Sequence, residues 1–167
     1  MIKIDQAVLD NILIEVKKDA LNSGREITFP TKGRSMLPLL ITNSKVIVAK
    51  CRPEDYRSGD MILYQAGKDN ITKFIAHRLI RKIRDGQGYL FITKGDACFR
   101  YDRPVCSDMA LGRIKKIKKF GFNISFDDLA GRLLNDILLL FSVSNITPIC
   151  VTILRRIKIL GMRYGYK

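Results

Sequence analysis

The spacing of apolar side chains divides the 167-residue chain into three regions. In residues 4–21 apolar side chains recur at helical spacing, with charged side chains between them. This pattern predicts one amphipathic helix that packs on the domain core and is ended by the sequence NSG at residues 22–24. The predicted packing positions are Val8, Leu9, Ile12, Leu13, Val16 and Ala20.

Residues 26–118 contain short apolar runs separated by turn residues, a pattern typical of β-strands of about five residues. Turns such as SGD at residues 58–60 separate the runs. The sequence has no alternation of strands with helices and no glycine-rich phosphate-binding loop. It therefore predicts a mainly β domain built from hairpins, either barrel-like or sandwich-like. The predicted strands are EITF, KVIVA, MILY, FIAHRLIRKI, YLFIT and LGRIKKI.

From Phe120 onward the chain becomes apolar and basic. Residues 137–154 carry no charged side chain, and their length reaches the lower limit for crossing a bilayer. Polar residues dilute this segment, so we expect two short apolar helices around Pro148 that pack on the domain or lie in a membrane interface. A membrane span by the same segment is the alternative. The expected parts are an N-terminal helix (1–24), a β domain (25–120) and a helical, apolar and basic region (121–167).

Charge and scarce residue types narrow the chemistry. The formal net charge of +14 attracts anionic partners such as nucleic acid, a membrane surface or an acidic peptide, without choosing among them. The four cysteines have neither zinc-ligand nor disulfide-framework spacing, so we expect no metal site. The N-terminus lacks the apolar core of a secretion signal. His77 is the one histidine, so any reaction that needs an imidazole depends on it.

Two segments contain a candidate nucleophile and a candidate base. The sequence GRSMLP at residues 33–38 predicts a tight turn that projects the Ser35 hydroxyl and frees a backbone N–H to stabilise an oxyanion. Strand alternation places His77 and Leu79 on one face and Arg78 on the other, and the imidazole can act as a general base near neutral pH. The alternatives are an ordinary turn serine and a half-buried histidine bonded to a backbone carbonyl.

A third segment supplies carboxylates. The sequence TKGD ends at Asp96, and Asp102 follows six positions later. Either carboxylate could orient an imidazole by accepting its second N–H, which is the role of the acid in a catalytic triad. Alternatively, both are turn residues that cap backbone N–H groups or pair with Lys94 or Arg103. Each segment alone is a weak signal, but together they contain the groups needed for acyl transfer.

These segments resemble the type I signal peptidase superfamily, which includes the self-cleaving repressor proteases of the LexA type. The matching sequences occur in the family's order over residues 33–117, about half of the chain. Members usually pair the serine with a lysine base, whereas the endoplasmic-reticulum and archaeal branch has a histidine there. Because His77 occupies that position, the chain is most similar to the histidine branch. The matching sequences are GRSMLP, SGDMILY, AHRLI, TKGDACFRYD and LGRIKKI.

The resemblance implies a signal-peptidase/LexA-like, β-barrel-like domain that acts as a serine endopeptidase without a cofactor. Ser35 would be the nucleophile and an oxyanion donor through its backbone N–H, and His77 would be the general base. Asp102 would orient His77, and Asp96 would support the site. One departure is Gly33, because many members carry a serine there whose hydroxyl helps to bind the oxyanion.

The expected partner is a peptide or protein substrate, such as a leader or signal sequence, bound as an extended strand. A cytoplasmic or membrane-peripheral enzyme is favoured, with an anionic membrane surface as a further partner. One rival is a LexA-type self-cleaving regulator, but the single helix before residue 24 is too short for a helix-turn-helix. Another is a non-catalytic, basic binding module on the same fold. No stacking aromatics interleave with the basic runs, so nucleic acid is not an expected partner.

Overall fold

The computed structural model describes residues 6–68, 71–86 and 88–164, with side chains for residues 13–67, 73–86 and 88–156. These residues form eight antiparallel strands in one sheet and a helix pair at the C-terminal end, so the expected mainly β architecture is confirmed. The strands are β1 (Ile27–Pro30), β2 (Lys45–Ala49), β3 (Met61–Lys68), β4 (Ile71–Asp85), β5 (Gly88–Lys94), β6 (Val105–Cys106), β7 (Ala110–Lys119) and β8 (Phe122–Ser125). The helices are α1 (Gln6–Asn22), α2 (Leu129–Val143) and α3 (Ile146–Tyr164).

The strand order is β1-β2-β7-β3-β4-β5-β6, and β8 adds to β7. Successive side chains of a strand point to opposite faces, and both faces of this sheet carry buried apolar side chains. The larger cluster includes Val48, Met61 and Ile114, and the smaller one includes Ile62 and Phe91. Among the described residues the pairing path ends at β1 and at β6, so these strands leave open sheet edges.

All six predicted strands are present, but two further strands, β6 and β8, have no counterpart in the prediction. β6 contains only two residues, and β8 is exposed over its first half and half-buried over its second. Neither strand buries an alternating apolar run, which is the signal that identified the other six. The pairing of β6 depends on its neighbour β5, and the pairing of β8 depends on its neighbour β7.

Helix α1 forms where the spacing predicted it, but its contact face differs. Leu13 and Val16, two of the predicted packing positions, are 56% and 59% exposed, and predicted positions 8, 9 and 12 lie outside the described side chains. The helix is held near its C-terminal end instead, where Leu21 is buried and the Lys17 ammonium lies 4.9 Å from the centre of the Phe29 ring. The prediction of a helix is therefore confirmed, but two of its predicted packing positions, Leu13 and Val16, are exposed, while Ala20 is half-buried.

The C-terminal helix pair breaks at a different residue from the one predicted. The turn falls at Asn145, whose φ of 58° is left-handed, and not at Pro148. Pro148 lies in the first turn of α3, where its missing N–H would have no helical partner in any case. No single described helix is long and apolar enough to cross a bilayer; Leu129–Val143 and Ile146–Arg156 reach that length only as a pair bent by 73°.

A close approach at Gly131 seats α2 against the sheet. Asp128 caps the helix, and its carboxylate accepts a hydrogen bond from the Gly131 N–H at 2.7 Å. A Cβ on Gly131 would lie 2.0 Å from the Ser125 carbonyl oxygen and 2.7 Å from the Phe126 Cα. The first turn of α2 can therefore contact the end of β8 only because residue 131 has no side chain.

Gly131→Ala tests this contact, because the close packing and the helix propensity predict opposite changes in the free energy of unfolding. In an open helix the change would stabilise by about 1 kcal/mol, because alanine has the higher helix propensity. Here we expect the free energy of unfolding to fall by about 2 kcal/mol or more, since a backbone segment must move. Urea unfolding measures the difference, and exposed Leu133→Ala is the control in the same helix. A stabilised Gly131→Ala protein would contradict the packing described here.

Candidate active site

Three side chains from distant parts of the chain meet at one end of the sheet. The Oγ atom of Ser35 lies 2.9 Å from Nε2 of His77, and Nδ1 of His77 lies 2.6 Å from Oδ2 of Asp102. Ser35 lies in the turn after β1, His77 on β4, and Asp102 in the loop between β5 and β6. If His77 donates its Nδ1–H to Asp102, its Nε2 can accept the Ser35 hydroxyl proton, as a nucleophile and its base require.

The carboxylate of Asp102 is held by donors besides His77. Thr93 donates its hydroxyl to Oδ2 at 2.7 Å, and Tyr64 donates its hydroxyl to the same oxygen at 3.2 Å. Burial would raise the pKa of Asp102, but the hydrogen bond and charge of His77, with the two hydroxyl donors, outweigh it and lower the pKa. Burial raises the pKa of Tyr64 to about 12, so its hydroxyl stays protonated and can donate.

The turn after β5 packs against the backbone of Ser35. Ala97 donates its backbone N–H to the Ser35 carbonyl oxygen at 2.7 Å. A Cβ on Gly95 would lie 2.7 Å from that oxygen, 3.0 Å from the Ser35 Cβ and 2.9 Å from the Cys98 Sγ. The two turns can therefore pack this closely only with glycine at position 95. In the described part of the chain the Ser35 N–H has no hydrogen-bond acceptor, which leaves it available to an oxyanion.

Gly33 has a backbone conformation that favours glycine. Its φ is 99°, a left-handed backbone conformation that side-chain-bearing residues rarely adopt. The space around a Cβ at this position is open, so the constraint comes from the backbone and not from crowding. The turn that presents Ser35 is therefore built with glycine where the resemblance would place a serine.

Asp96 does not contact His77; it pairs with Arg78, the next residue of the strand. Its carboxylate forms a bidentate pair with Arg78, with Nε to Oδ1 at 2.8 Å and Nη2 to Oδ2 at 2.7 Å. Both side chains are fully buried. The alternative pairing of Asp96 with Lys94 or Arg103 is therefore wrong, because the guanidinium occupies both oxygens.

The same guanidinium reaches two further elements. Nη1 of Arg78 donates to the Gly59 carbonyl oxygen at 2.7 Å and to Oδ1 of Asn135 at 3.0 Å. Asn135 belongs to α2, and Gly59 lies in the turn before β3. One buried side chain thus connects the strand that carries His77 to the C-terminal helix pair.

Lys94 is the second buried cation beside the site. Its ammonium donates to the Ser142 carbonyl oxygen, and to Oδ1 of Asn145 at 2.7 Å. Burial lowers the pKa of Lys94. Because the ammonium is bound at the corner between α2 and α3, it is not placed to take a proton from Ser35.

An apolar cleft of about 460 Å³ ends at Ser35 and His77. One wall comes from residues 29–33, the other from residues 74–77, and α1 contributes Leu13 and Lys17 at one side. β4 pairs with β3 over these residues, but its pairing with β5 begins only at Arg78. Among the described residues the outer edge of β4 beside the cleft therefore has no strand partner. An extended peptide fits such an edge.

Among the described residues no three histidine, cysteine, aspartate or glutamate side chains lie close enough together to bind a metal ion. The contacts from Ser35 through His77 to Asp102 join groups that accept, donate and orient protons, which defines the chemistry of this site. Its chemical capacity is nucleophilic attack by an activated hydroxyl.

Sequence reasoning brought together Ser35, His77 and Asp102 but missed the groups that hold them. Thr93 lies inside the TKGD segment, three residues before Asp96, and its strand position puts it on the face of Leu79 and His77. That alternation could have identified Thr93. The bond from Tyr64 crosses 38 residues and has no local sequence signal.

A comparison of the sequence with models of protein families finds no match, and a search of curated proteins finds none either. The resemblance to the signal peptidases thus depends on the quoted motifs. The geometry of the site bears on chemistry and does not identify a family.

Gly95→Ala tests how closely the two turns pack. The added methyl group would push the Ser35 backbone away from His77, and a misplacement of about 1 Å can cost roughly a hundredfold in reactivity. We therefore expect about a hundredfold slower modification of Ser35 by a phosphonylating probe. Gly88→Ala is the control, because its Cβ would have its nearest neighbour at 3.7 Å. Equal rates for the two variants would contradict the packing argument.

Thr93→Val tests the carboxylate environment through pH. The pKa of Asp102 is lower in the folded protein, so its contribution to stability is complete above the unfolded-state value of about 4 and is lost as the pH falls through the folded-state pKa. Removing the Thr93 donor should cost about 1–2 kcal/mol near pH 7. The difference from wild type should shrink near pH 2–3 because the protonated carboxyl needs this donor less.

Urea unfolding at both pH values measures the effect of Thr93→Val. Exposed Thr28→Val on β1 is the matched control, with no pH-dependent difference expected. A destabilisation by Thr93→Val that is the same at both pH values would show that the hydroxyl does not act through the charge of Asp102.

Proposed function

We propose that this protein is a serine endopeptidase that cleaves a peptide or leader sequence through an acyl-enzyme on Ser35. The observation that carries the proposal is the continuous chain of contacts from Ser35 through His77 to Asp102, with links of 2.9 and 2.6 Å. The chain lies at the end of an apolar cleft, where a substrate can reach it. The resemblance to the histidine branch of the signal peptidases gives the same reaction type and order of residues.

In the proposed reaction, Ser35 Oγ attacks the carbonyl carbon of the scissile peptide bond while His77 Nε2 takes the hydroxyl proton. The Ser35 N–H donates to the developing oxyanion. The intermediate collapses by expelling the amine, which receives the proton from His77. Asp102 holds the imidazole in the required tautomer and stabilises its charged form. A water molecule, deprotonated by His77, then releases the acyl group and restores Ser35.

The substrate is proposed to bind as an added strand. Residues 73–77 of β4 present backbone groups along an edge without a strand partner among the described residues. Main-chain hydrogen bonds there would hold the peptide extended and align one bond with Ser35. The apolar lining, which includes Phe29, Met36 and Leu63, favours apolar side chains close to the cleaved bond.

The experiment is labelling with a serine-reactive phosphonylating probe, followed by peptide mapping. Wild type should be modified at Ser35, and Ser35→Ala should not be modified at that peptide. His77→Ala should slow labelling by about a thousandfold or more, and Asp102→Asn by up to about 10⁴-fold, because the imidazole loses its orienting acid.

Cys98→Ala is the control for thiol chemistry, since the Cys98 Sγ lies in the same turn cluster as Ser35. Burial raises the pKa of Cys98, so its thiol should be unreactive and the control should label at the wild-type rate. Folded wild-type protein without Ser35 labelling, or labelling that is independent of His77, would contradict the proposed mechanism.

A further inference from the structure

In the C-terminal helix pair several polar side chains are buried and many aliphatic side chains are exposed, the reverse of what is usual for a helix on a protein surface. Its inward positions include three buried polar residues, Asn135, Ser142 and Thr147. Its exposed side carries aliphatic side chains, spaced by three or four residues so that they share one face of each helix. We call the apolar face the exposed side chains of Leu133, Ile137 and Leu140 on α2 and of Ile146, Ile149 and Ile153 on α3.

The inverted orientation is fixed by buried charges. Arg78 donates to Asn135 in the middle of α2, and Lys94 donates to the Ser142 carbonyl oxygen and to Asn145 at the corner. Turning the apolar face inward would remove Asn135 from Arg78, which keeps Asp96 and Gly59, and would leave the buried Lys94 ammonium without these two acceptors. An uncompensated buried charge costs about 3–5 kcal/mol. The helices therefore keep their aliphatic side outward.

Charge identifies the kind of surface that this face fits. Residues 137–167 contain no aspartate or glutamate. Arg155 and Arg156 are exposed and follow the apolar face directly along α3. An aliphatic face bordered by basic side chains complements a bilayer interface with anionic headgroups, because the alkyl groups enter the acyl boundary and the cations meet the headgroups.

We propose that α2 and α3 dock the protein on an anionic lipid surface with both helices lying in the interface. Two helix axes that meet at a corner define one plane, so the 73° bend is compatible with both helices lying flat. Lys94 and Arg78 tie the inner side of the pair to the protein, which prevents the corner from inserting as a span. Docking of this kind needs no transmembrane segment among the described residues.

Vesicle co-sedimentation of the full-length protein tests the proposal. Wild type should bind phosphatidylcholine vesicles that contain phosphatidylglycerol, and added salt should weaken binding. Leu133→Ser/Ile137→Ser/Leu140→Ser should bind about tenfold or more weakly, because three aliphatic groups no longer enter the interface. Arg155→Ala/Arg156→Ala should bind more weakly by roughly fivefold for each residue, since one interfacial basic residue contributes about 1 kcal/mol.

The matched control is Val16→Ser/Met109→Ser, which removes two exposed apolar side chains from other elements and should bind like wild type. Sedimentation velocity without vesicles shows whether a second copy of the protein covers the apolar face instead. No binding of wild type to the anionic vesicles would overturn the proposal. So would a dimer that the triple serine variant makes monomeric, because a second copy would then cover the apolar face. Ser35→Ala should bind like wild type, so this result is independent of peptidase activity.

Discussion

The ion pair between Arg78 and Asp96 is the interaction on which the rest of the structure depends. Both side chains are fully buried, so their desolvation is offset by hydrogen bonds from all three nitrogens of the guanidinium. Two of its nitrogens bind Asp96, and the third binds the Gly59 carbonyl oxygen and Asn135. Removing either charge would leave the other buried without its counter-ion, at a cost of about 3–5 kcal/mol.

The position of this pair connects the two halves of the candidate site. Arg78 follows His77 on β4, and Asp96 follows Gly95, which contacts the Ser35 backbone. The ion pair therefore holds the strand that carries His77 against the turn that contacts the Ser35 backbone. Neither Arg78 nor Asp96 contacts the Ser35 hydroxyl, but both determine how far apart Ser35 and His77 lie.

Because side chains alternate along β4 and β5, the two faces of the sheet bind different parts of the protein. Arg78 and Lys94 are paired across β4 and β5 on one face, while His77 and Thr93 lie on the other. The first face holds the C-terminal helices, and the second holds the Asp102 carboxylate. The helix pair and the proton-transfer groups are thus attached to adjacent residues of the same strands. A shift of the helices that moved Arg78 or Lys94 would therefore also move its neighbour in the strand, His77 or Thr93.

Local patterns predicted what depends on local sequence. Alternation predicted the long strands, and the helical repeat predicted α1, because burial of one side follows from spacing alone. The contact face of α1 and the short strand β6 could not be predicted, since both depend on neighbours far along the chain. For the site, the motifs gave Ser35, His77 and Asp102, whereas the partner of Arg78 on α2 lies 57 residues away.

Cleavage of a diverse peptide library, with new termini read by mass spectrometry, tests whether the protein is a peptidase that depends on Ser35. We expect cuts by wild type that are absent with Ser35→Ala and His77→Ala, with apolar residues enriched close to the cut. Folded protein that produces no new termini, or cuts that persist without the Ser35 hydroxyl, would contradict this expectation.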